Sequence, residues 1–378
     1  MQYLKREIFE KFMQKLLANK VLVLLGARRI GKTVFIGQVI EKLDEPYLLL
    51  NGEDVTTADV LKKRSIENYK RLLGNKKVLV IDEAQKIPEI GKILKLMVDG
   101  IKGIKIIVTG SSTFDLNNKL GEPLTGRKIT FNMYPLAQME FSRTENLIQT
   151  KDRLEDRLVF GSYPELLHHQ TKEAKTEYLK EIVNSYLLKD ILVFESIRNS
   201  SKLLDLLRLL SFQVGKEVSY HELGTQLSMS KNTVERYMDL LSKVFIIYKL
   251  QGFSRNLRKE ITKSSKWYFY DNGIRNTLIA NHNPLSLRSD IGELWENYLL
   301  SERIKYQSYT GMLVNNYFWR TYEQQEIDWI EDRGGKLHAY EVKWNSGKKI
   351  KSPSAWHEAY PKASFEGITQ DNYLDWIS

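Results

Sequence analysis

Gly26-Ala27-Arg28-Arg29-Ile30-Gly31-Lys32-Thr33 decides how the first third of this 378-residue chain folds. It fits the G-x-x-x-x-G-K-[ST] pattern without a mismatch. The apolar run Val21-Leu-Val-Leu-Leu25 precedes it, and Val34-Phe-Ile-Gly-Gln-Val-Ile follows with helical character. Strand, loop and helix in that order is the context the pattern requires. Gly26 and Gly31 let the backbone of residues 26–34 turn its N–H groups toward anionic oxygens, and a helix N-terminus adds positive potential. Lys32 can reach β- and γ-phosphates, and the Thr33 hydroxyl can ligate Mg²⁺. The bland alternative is a chance Gly-Lys-Thr turn, and a second motif argues against it.

That motif is Val78-Leu-Val-Ile-Asp82-Glu83-Ala-Gln85. Four branched apolar residues predict a parallel strand covered on both faces. Two carboxylates follow at its C-terminal end, where open α/β sheets bind ligands. Asp82 is expected in the Mg²⁺ shell and Glu83 beside the attacking water, so hydrolysis of ATP is expected as well as binding. A third strand, Lys105-Ile-Ile-Val-Thr109-Gly-Ser111-Ser112, brings hydroxyls to the same edge. Thr109 or Ser111 can sense the γ-phosphate, or simply cap the strand end. In Leu124-Thr-Gly126-Arg127 the guanidinium can neutralise transition-state charge, in cis or from a neighbouring subunit, or be a plain surface charge.

The chain is long enough for two to four domains. It has no cysteine, which excludes disulfides, thiolate metal sites and a cysteine nucleophile. No apolar run approaches a membrane span and no signal-peptide pattern opens the chain, so a cytoplasmic protein without membrane contact is expected. The net charge of +10 favours an anionic partner such as DNA. Between Ser201 and Arg275 there are 13 Lys/Arg against 7 Asp/Glu, so one fifth of the chain carries more than half of the surplus. That points the expectation to one region. A homo-oligomer or a protein partner stays open.

Residues 1–135 alternate strands with amphipathic helices, the α/β pattern. Residues 136–200 have helical periodicity, broken by Phe160-Gly-Ser-Tyr-Pro164, and predict a small lid. In residues 201–280, a helix from about Tyr220, a serine-rich turn and a helix capped by Ser230 predict a helix-turn-helix. Lys231, Asn232, Thr233 and Arg236 begin the second helix, where base edges and phosphates are met. Two further strands flank a basic loop with Arg255 and Arg258, giving a winged helix. Such a module binds DNA or serves as a rigid protein contact, and the local positive charge favours DNA.

From residue 281 on, a helix carrying Glu296 precedes the strands Glu326-Ile-Asp328-Trp-Ile and Ala339-Tyr-Glu341-Val-Lys343-Trp. Side chains alternate along a strand, so Glu341 and Lys343 share a face, with Asp328 supplied by the neighbour. Asp328 and Glu341 can bind Mg²⁺ or Mn²⁺, Lys343 can stabilise a phosphate transition state, and Glu296 completes the set. A solvated charged face would give the same alternation. The pair His168-His169 lacks ligand spacing.

Taken in order, GARRIGKT, VLVIDEAQKIP, IIVTGSSTFDL, EPLTGR, FGSYPE, YLLKDIL, WYFYDNGIR, LWENYL and QEIDWI…YEVKW resemble bacterial and archaeal ATPases that join an AAA-type P-loop domain to a DUF4143-type region. The resemblance covers nearly the whole chain. It implies an α/β fold: a P-loop NTPase core, a helical lid, a winged helix-turn-helix and a restriction-endonuclease-like PD-(D/E)XK domain over 281–378. It places Lys32, Thr33, Asp82 and Glu83 at ATP and Mg²⁺ positions, Arg127 at a recurrent arginine, and Glu296, Asp328, Glu341 and Lys343 at the nuclease positions. The Pro-Asp opening of the nuclease pattern is absent, with Glu-Ile-Asp328 in its place. The implied function is ATP hydrolysis coupled to DNA binding and metal-dependent DNA cleavage. The alternative is a nucleotide-gated protein-interaction switch with an inactive nuclease-like domain.

Overall fold

Leu22, Val23, Leu24 and Leu25 are completely buried, because their strand has a neighbour on each side and helical layers over its faces. A computed structural model describes residues 4–111, 124–187, 200–254, 265–321, 323–345 and 350–378. Two compact units emerge. One runs up to Tyr134 and takes in Lys243–Phe245; the other comprises Pro135–Ser242 and Ile246–Ser378.

The first unit is built on five parallel strands: β1 (Lys20–Leu25), β2 (Tyr47–Asn51), β3 (Val78–Asp82), β4 (Lys105–Gly110) and β5 (Lys128–Asn132). Their order is β2-β3-β4-β1-β5. The strand after the glycine loop's own helix therefore lies at the far edge, and β4 separates β1 from the acidic β3. Every strand is parallel, so their C-terminal ends, including Leu25, Asp82 and Gly110, meet along one sheet edge. Three apolar interiors carry the core. Edge strand β2 alternates between exposed and half-buried, as a single-sided strand should.

The second unit holds a seven-stranded mixed sheet in the order β12-β11-β10-β9-β7-β8-β6. Its strands are β6 (Glu217–Val218), β7 (Ile247–Gly252), β8 (Ser265–Phe269), β9 (Asn315–Arg320), β10 (Glu326–Arg333), β11 (Lys336–Val342) and β12 (Ser364–Ile368). The helices Ser200–Phe212, Tyr220–Leu227 and Lys231–Lys243 precede the β7–β8 hairpin. Strand β7 pairs in parallel with β9 through Gln251–Tyr317 and Gly252–Phe318. The strands on either side of residue 280 thus share one sheet. Strand β12 adds in parallel beside β11, after the helix Ser354–Ala359.

Buried polar groups fix the frame of this unit. Asp271 caps the helix Asn272–Leu278: Oδ1 accepts from Gly273 N at 2.9 Å and Oδ2 from Ser162 N at 2.7 Å. Gly161 sits against this carboxylate with φ 77°, where an added Cβ would lie 2.0 Å from Asp271 Oδ1. That contact explains the Phe160-Gly-Ser-Tyr-Pro164 break. The side chain of Asn297 pairs with the backbone of Phe269, accepting from N at 2.7 Å and donating to O at 3.1 Å. It ties the 20-residue helix Ile291–Thr310 to β8. Within the helical periodicity expected over residues 136–200, which includes a helix expected over residues 178–192, the α-helix Lys172–Glu181 passes into a π-helical turn, Ile182–Leu187. Residues 188–192 lie outside the described ones.

Candidate functional site

Gly26 leaves β1 under the backbone of Met133, and a Cβ there would lie 2.2 Å from Met133 O. Only glycine fits that approach. Gly31 has φ 90° and opens the helix Lys32–Glu41, so the loop ends where the helix leaves its first amides unpaired. Lys32 is buried, and its Nζ donates to the carbonyls of Gly26 and Ala27 at 2.9 Å each. The ammonium therefore stays inside the loop. Arg6, which the sequence gave no reason to single out, braces the loop from below by donating to Ile30 O at 2.9 Å and Tyr134 O at 2.5 Å.

Across the sheet edge, Asp82 accepts from Thr33 Oγ1 at 3.0 Å through Oδ2 and from Thr109 Oγ1 through Oδ1. Thr109 also accepts from Glu83 N at 3.0 Å. Glu83 has φ 51°, a left-handed conformation that costs a non-glycine residue about 1 kcal/mol or more. Gly52 lies against it; a Cβ there would stand 2.4 Å from Glu83 O. Gln85 Nε2 donates to Glu83 Oε2 and to Ser111 Oγ, the latter at 3.2 Å. Nothing in the sequence alone marks Gln85 as part of the site, apart from its place two residues beyond Glu83. Lys32, Thr33, Asp82, Glu83, Thr109 and Ser111 thus gather at one edge, and the oxygens of Thr33 and Asp82 suit Mg²⁺.

Arg127 does not gather there. Val21 N donates to Arg127 O at 2.9 Å, so this arginine stands beside the start of β1, whereas the glycine loop follows its end. Five strand steps separate the two, roughly 17 Å. Its guanidinium is paired with Asp99 at 2.7 Å. The geometry does not bring Arg127 to the glycine loop of its own chain, which leaves the loop of a neighbouring copy or a plain surface charge.

In the second unit the nuclease-pattern residues do converge. Strand β10 is irregular against β9 between Ile327 and Ile330, and these two residues share one core with Trp319, Ala339 and Trp356. A regular strand would point them to opposite faces. The bulge turns Asp328 away from that core. Val342 N donates to Asp328 Oδ2 at 2.9 Å; Lys343 Nζ lies 2.7 Å from Glu341 Oε1 and 4.0 Å from Asp328 Oδ2. From the helix, Glu296 Oε1 accepts from Tyr268 OH at 2.7 Å. Lys266 enters from β8, pairs with Glu326 and stands 4.0 Å from Glu296 Oε1.

Burial, reinforced by the Asp328 charge, pushes Glu296 up to about 7 against the pull of Lys266. Glu341 also rises to about 7, from burial and Asp328, opposed by Lys343. Burial raises Asp328 too, against Lys266 and Lys343. Burial works against the charge of Lys266, but Glu296, Asp328 and Glu326 outweigh it and hold its pKa above the ordinary value. The cluster therefore already contains two cations. Glu341 Oε2 is buried without a hydrogen-bond partner, a single open acceptor. Among the described residues, no group of three or more His, Cys, Asp or Glu has the geometry to hold a metal ion.

Lys231, Asn232 and Arg236 are exposed and Thr233 is half-buried at the start of the helix Lys231–Lys243; Thr233 N donates to Ser230 Oγ at 3.1 Å. Arg255 and Arg258 lie outside the described residues. Among the described residues, no helix is long and apolar enough to cross a membrane.

Three family models match successive parts of the chain: an AAA domain over residues 18–142, the domain of unknown function DUF8612 over 151–285, and DUF4143 over 291–371. These matches support an AAA-type P-loop ATPase domain joined to a DUF4143 region. An uncharacterized protein of Methanocaldococcus jannaschii, MJ1544, is 27% identical over 84% of this chain and 73% of its own length. One from Haemophilus influenzae is 24% identical over 97% of this chain and 98% of its own. Among solved structures, the chain is similar to a signal transduction ATPase with numerous domains from Pyrococcus horikoshii. That similarity has a TM-score of 0.32 at 14% identity, over 82% of this chain and 48% of that one.

Proposed function

We propose that this protein hydrolyses ATP with Mg²⁺ and uses the nucleotide state to set its grip on DNA. The observation that carries the ATPase reading is Asp82, whose carboxylate is held between the hydroxyls of Thr33 and Thr109 beside the glycine loop. A bound triphosphate would draw Lys32 from the Gly26 and Ala27 carbonyls to its β- and γ-oxygens, with the loop amides around them. Thr33 and Asp82 would hold Mg²⁺, which supplies neutralisation of phosphate charge. Glu83, held by the Thr109 hydroxyl and Gln85, would orient the water and take its proton. Thr109 or Ser111, the latter reached through Gln85, would register loss of the γ-phosphate. Arg127 would act only across a subunit boundary.

For DNA, the support is the element order of helix, short strand, two helices and hairpin, which fits a winged helix, together with exposed Lys231, Asn232 and Arg236. The residues 281–378 fit a nuclease-like fold in this reading. Lys266 within the carboxylate cluster favours binding over cutting there. The test is ATP turnover with and without duplex, single-stranded and branched DNA, followed on gels with Mn²⁺. Lys32→Ala is expected to abolish turnover, and DNA to change the parental rate without being cut. A parental protein that turns over no ATP contradicts the proposal.

A further inference from the structure

We infer that Lys266 is the resident cation of the C-terminal carboxylate cluster, neutralising Glu296, Asp328 and Glu326 in place of a divalent metal ion while Lys343 serves Glu341. The inference rests on the geometry of this cluster and is independent of the ATPase reading. Lys266 comes from β8, outside the helix and hairpin that supply the acids, and reaches them because β7 joins β8 to β9 in one sheet. Its side chain is only 3% exposed. Glu326 pairs with it, Glu296 lies 4.0 Å away, and the Phe318 ring stands 5.3 Å from its Nζ.

The two lysines differ in what they permit. Lys343 has a side chain 53% exposed and can swing out to make room for a ligand. Lys266 cannot leave without abandoning a buried charge and its carboxylate partners. A divalent ion bound by Glu296 and Asp328 would therefore face a fixed ammonium at short range. Glu296 Oε1 already accepts from the Tyr268 hydroxyl. The open acceptor on Glu341 is a single oxygen beside Lys343, not a converging set. Each acid thus has a cation or a donor of the protein's own.

The test is Mn²⁺ binding to the full nucleotide-free chain, followed by electron paramagnetic resonance. Asp328→Asn serves as the control that separates this cluster from Thr33 and Asp82. The parental protein is expected to show no Mn²⁺ site that Asp328→Asn removes. Lys266→Met is expected to bind Mn²⁺ at least tenfold more tightly than the parent, with the gain lost on adding Asp328→Asn. Lys266→Arg, which keeps the charge, should resemble the parent. Circular dichroism and the thermal melt report whether each variant folds. An Asp328-dependent Mn²⁺ site in the parental protein overturns the inference, and needs no Lys266 variant to do so. A folded Lys266→Met protein with no gain in Mn²⁺ affinity overturns it equally.

Discussion

Lys32 and Gln85 show how much of a nucleotide site rests on single contacts. Lys32 reads plainly from the sequence because the two glycines ahead of it are constrained: Gly26 by the Met133 carbonyl, Gly31 by its positive φ. Gln85 does not, since its role depends on Ser111, brought near only by the pairing of β3 with β4. Gln85→Ala should lower kcat about 10- to 100-fold, because Glu83 loses a side-chain partner that fixes its carboxylate, while KM changes little. Steady-state ATP turnover checks this, and an unchanged kcat would show that Gln85 does not position Glu83. Arg127 marks the opposite case. Its sequence neighbours say nothing about which end of β1 it lies beside, and that depends on how β5, the alternating Lys128-Ile-Thr-Phe-Asn132, pairs with β1.

Strands and helices with apolar interiors were legible, and those defined by their partners were not. Val78–Asp82 and Lys105–Gly110 fall where their composition predicts, since both faces are covered. Strand β12, Ser364–Ile368, alternates exposed and half-buried residues and exists through its pairing with β11. The bulge at Asp328 is equally silent in sequence, because Ile327-Asp-Trp-Ile330 reads as ordinary alternation until both isoleucines are found in one core. The end of the helix Asn272–Leu278 carries a pH prediction. His282 stacks on Phe160 with ring centroids 5.5 Å apart and lies 3.1 Å from Thr277 Oγ1. Burial, aided by Arg288 and Lys180, lowers its pKa to about 4 from an ordinary 6.5. Between these values the unfolded chain binds the extra proton, so stability must fall as pH falls through the window. His282→Gln should flatten that part of the curve, read as the melting temperature between pH 7 and pH 4.5. Equal slopes in the two proteins would contradict it.

Across the chain as a whole, nucleotide site and carboxylate cluster occupy different units, and the positive excess lies over residues 201–275. Charge counting located that excess; it could not reveal that the β7–β8 hairpin and the C-terminal strands form one sheet. Nor could it place Lys266, which in sequence is one more basic residue among 13. If the helix Lys231–Lys243 meets phosphates, the double variant Lys231→Ala, Arg236→Ala should weaken DNA binding and reduce the slope of log affinity against log salt by about two. An unaltered slope would move the DNA surface elsewhere. The most direct test of the ATPase site compares ATP hydrolysis by parental and Glu83→Gln proteins at saturating ATP and Mg²⁺. The expected result is a fall of about 100-fold or more in the variant, with ATP still bound. Hydrolysis at the parental rate would contradict the assignment of Glu83 as the water-orienting carboxylate of the proposed ATPase site.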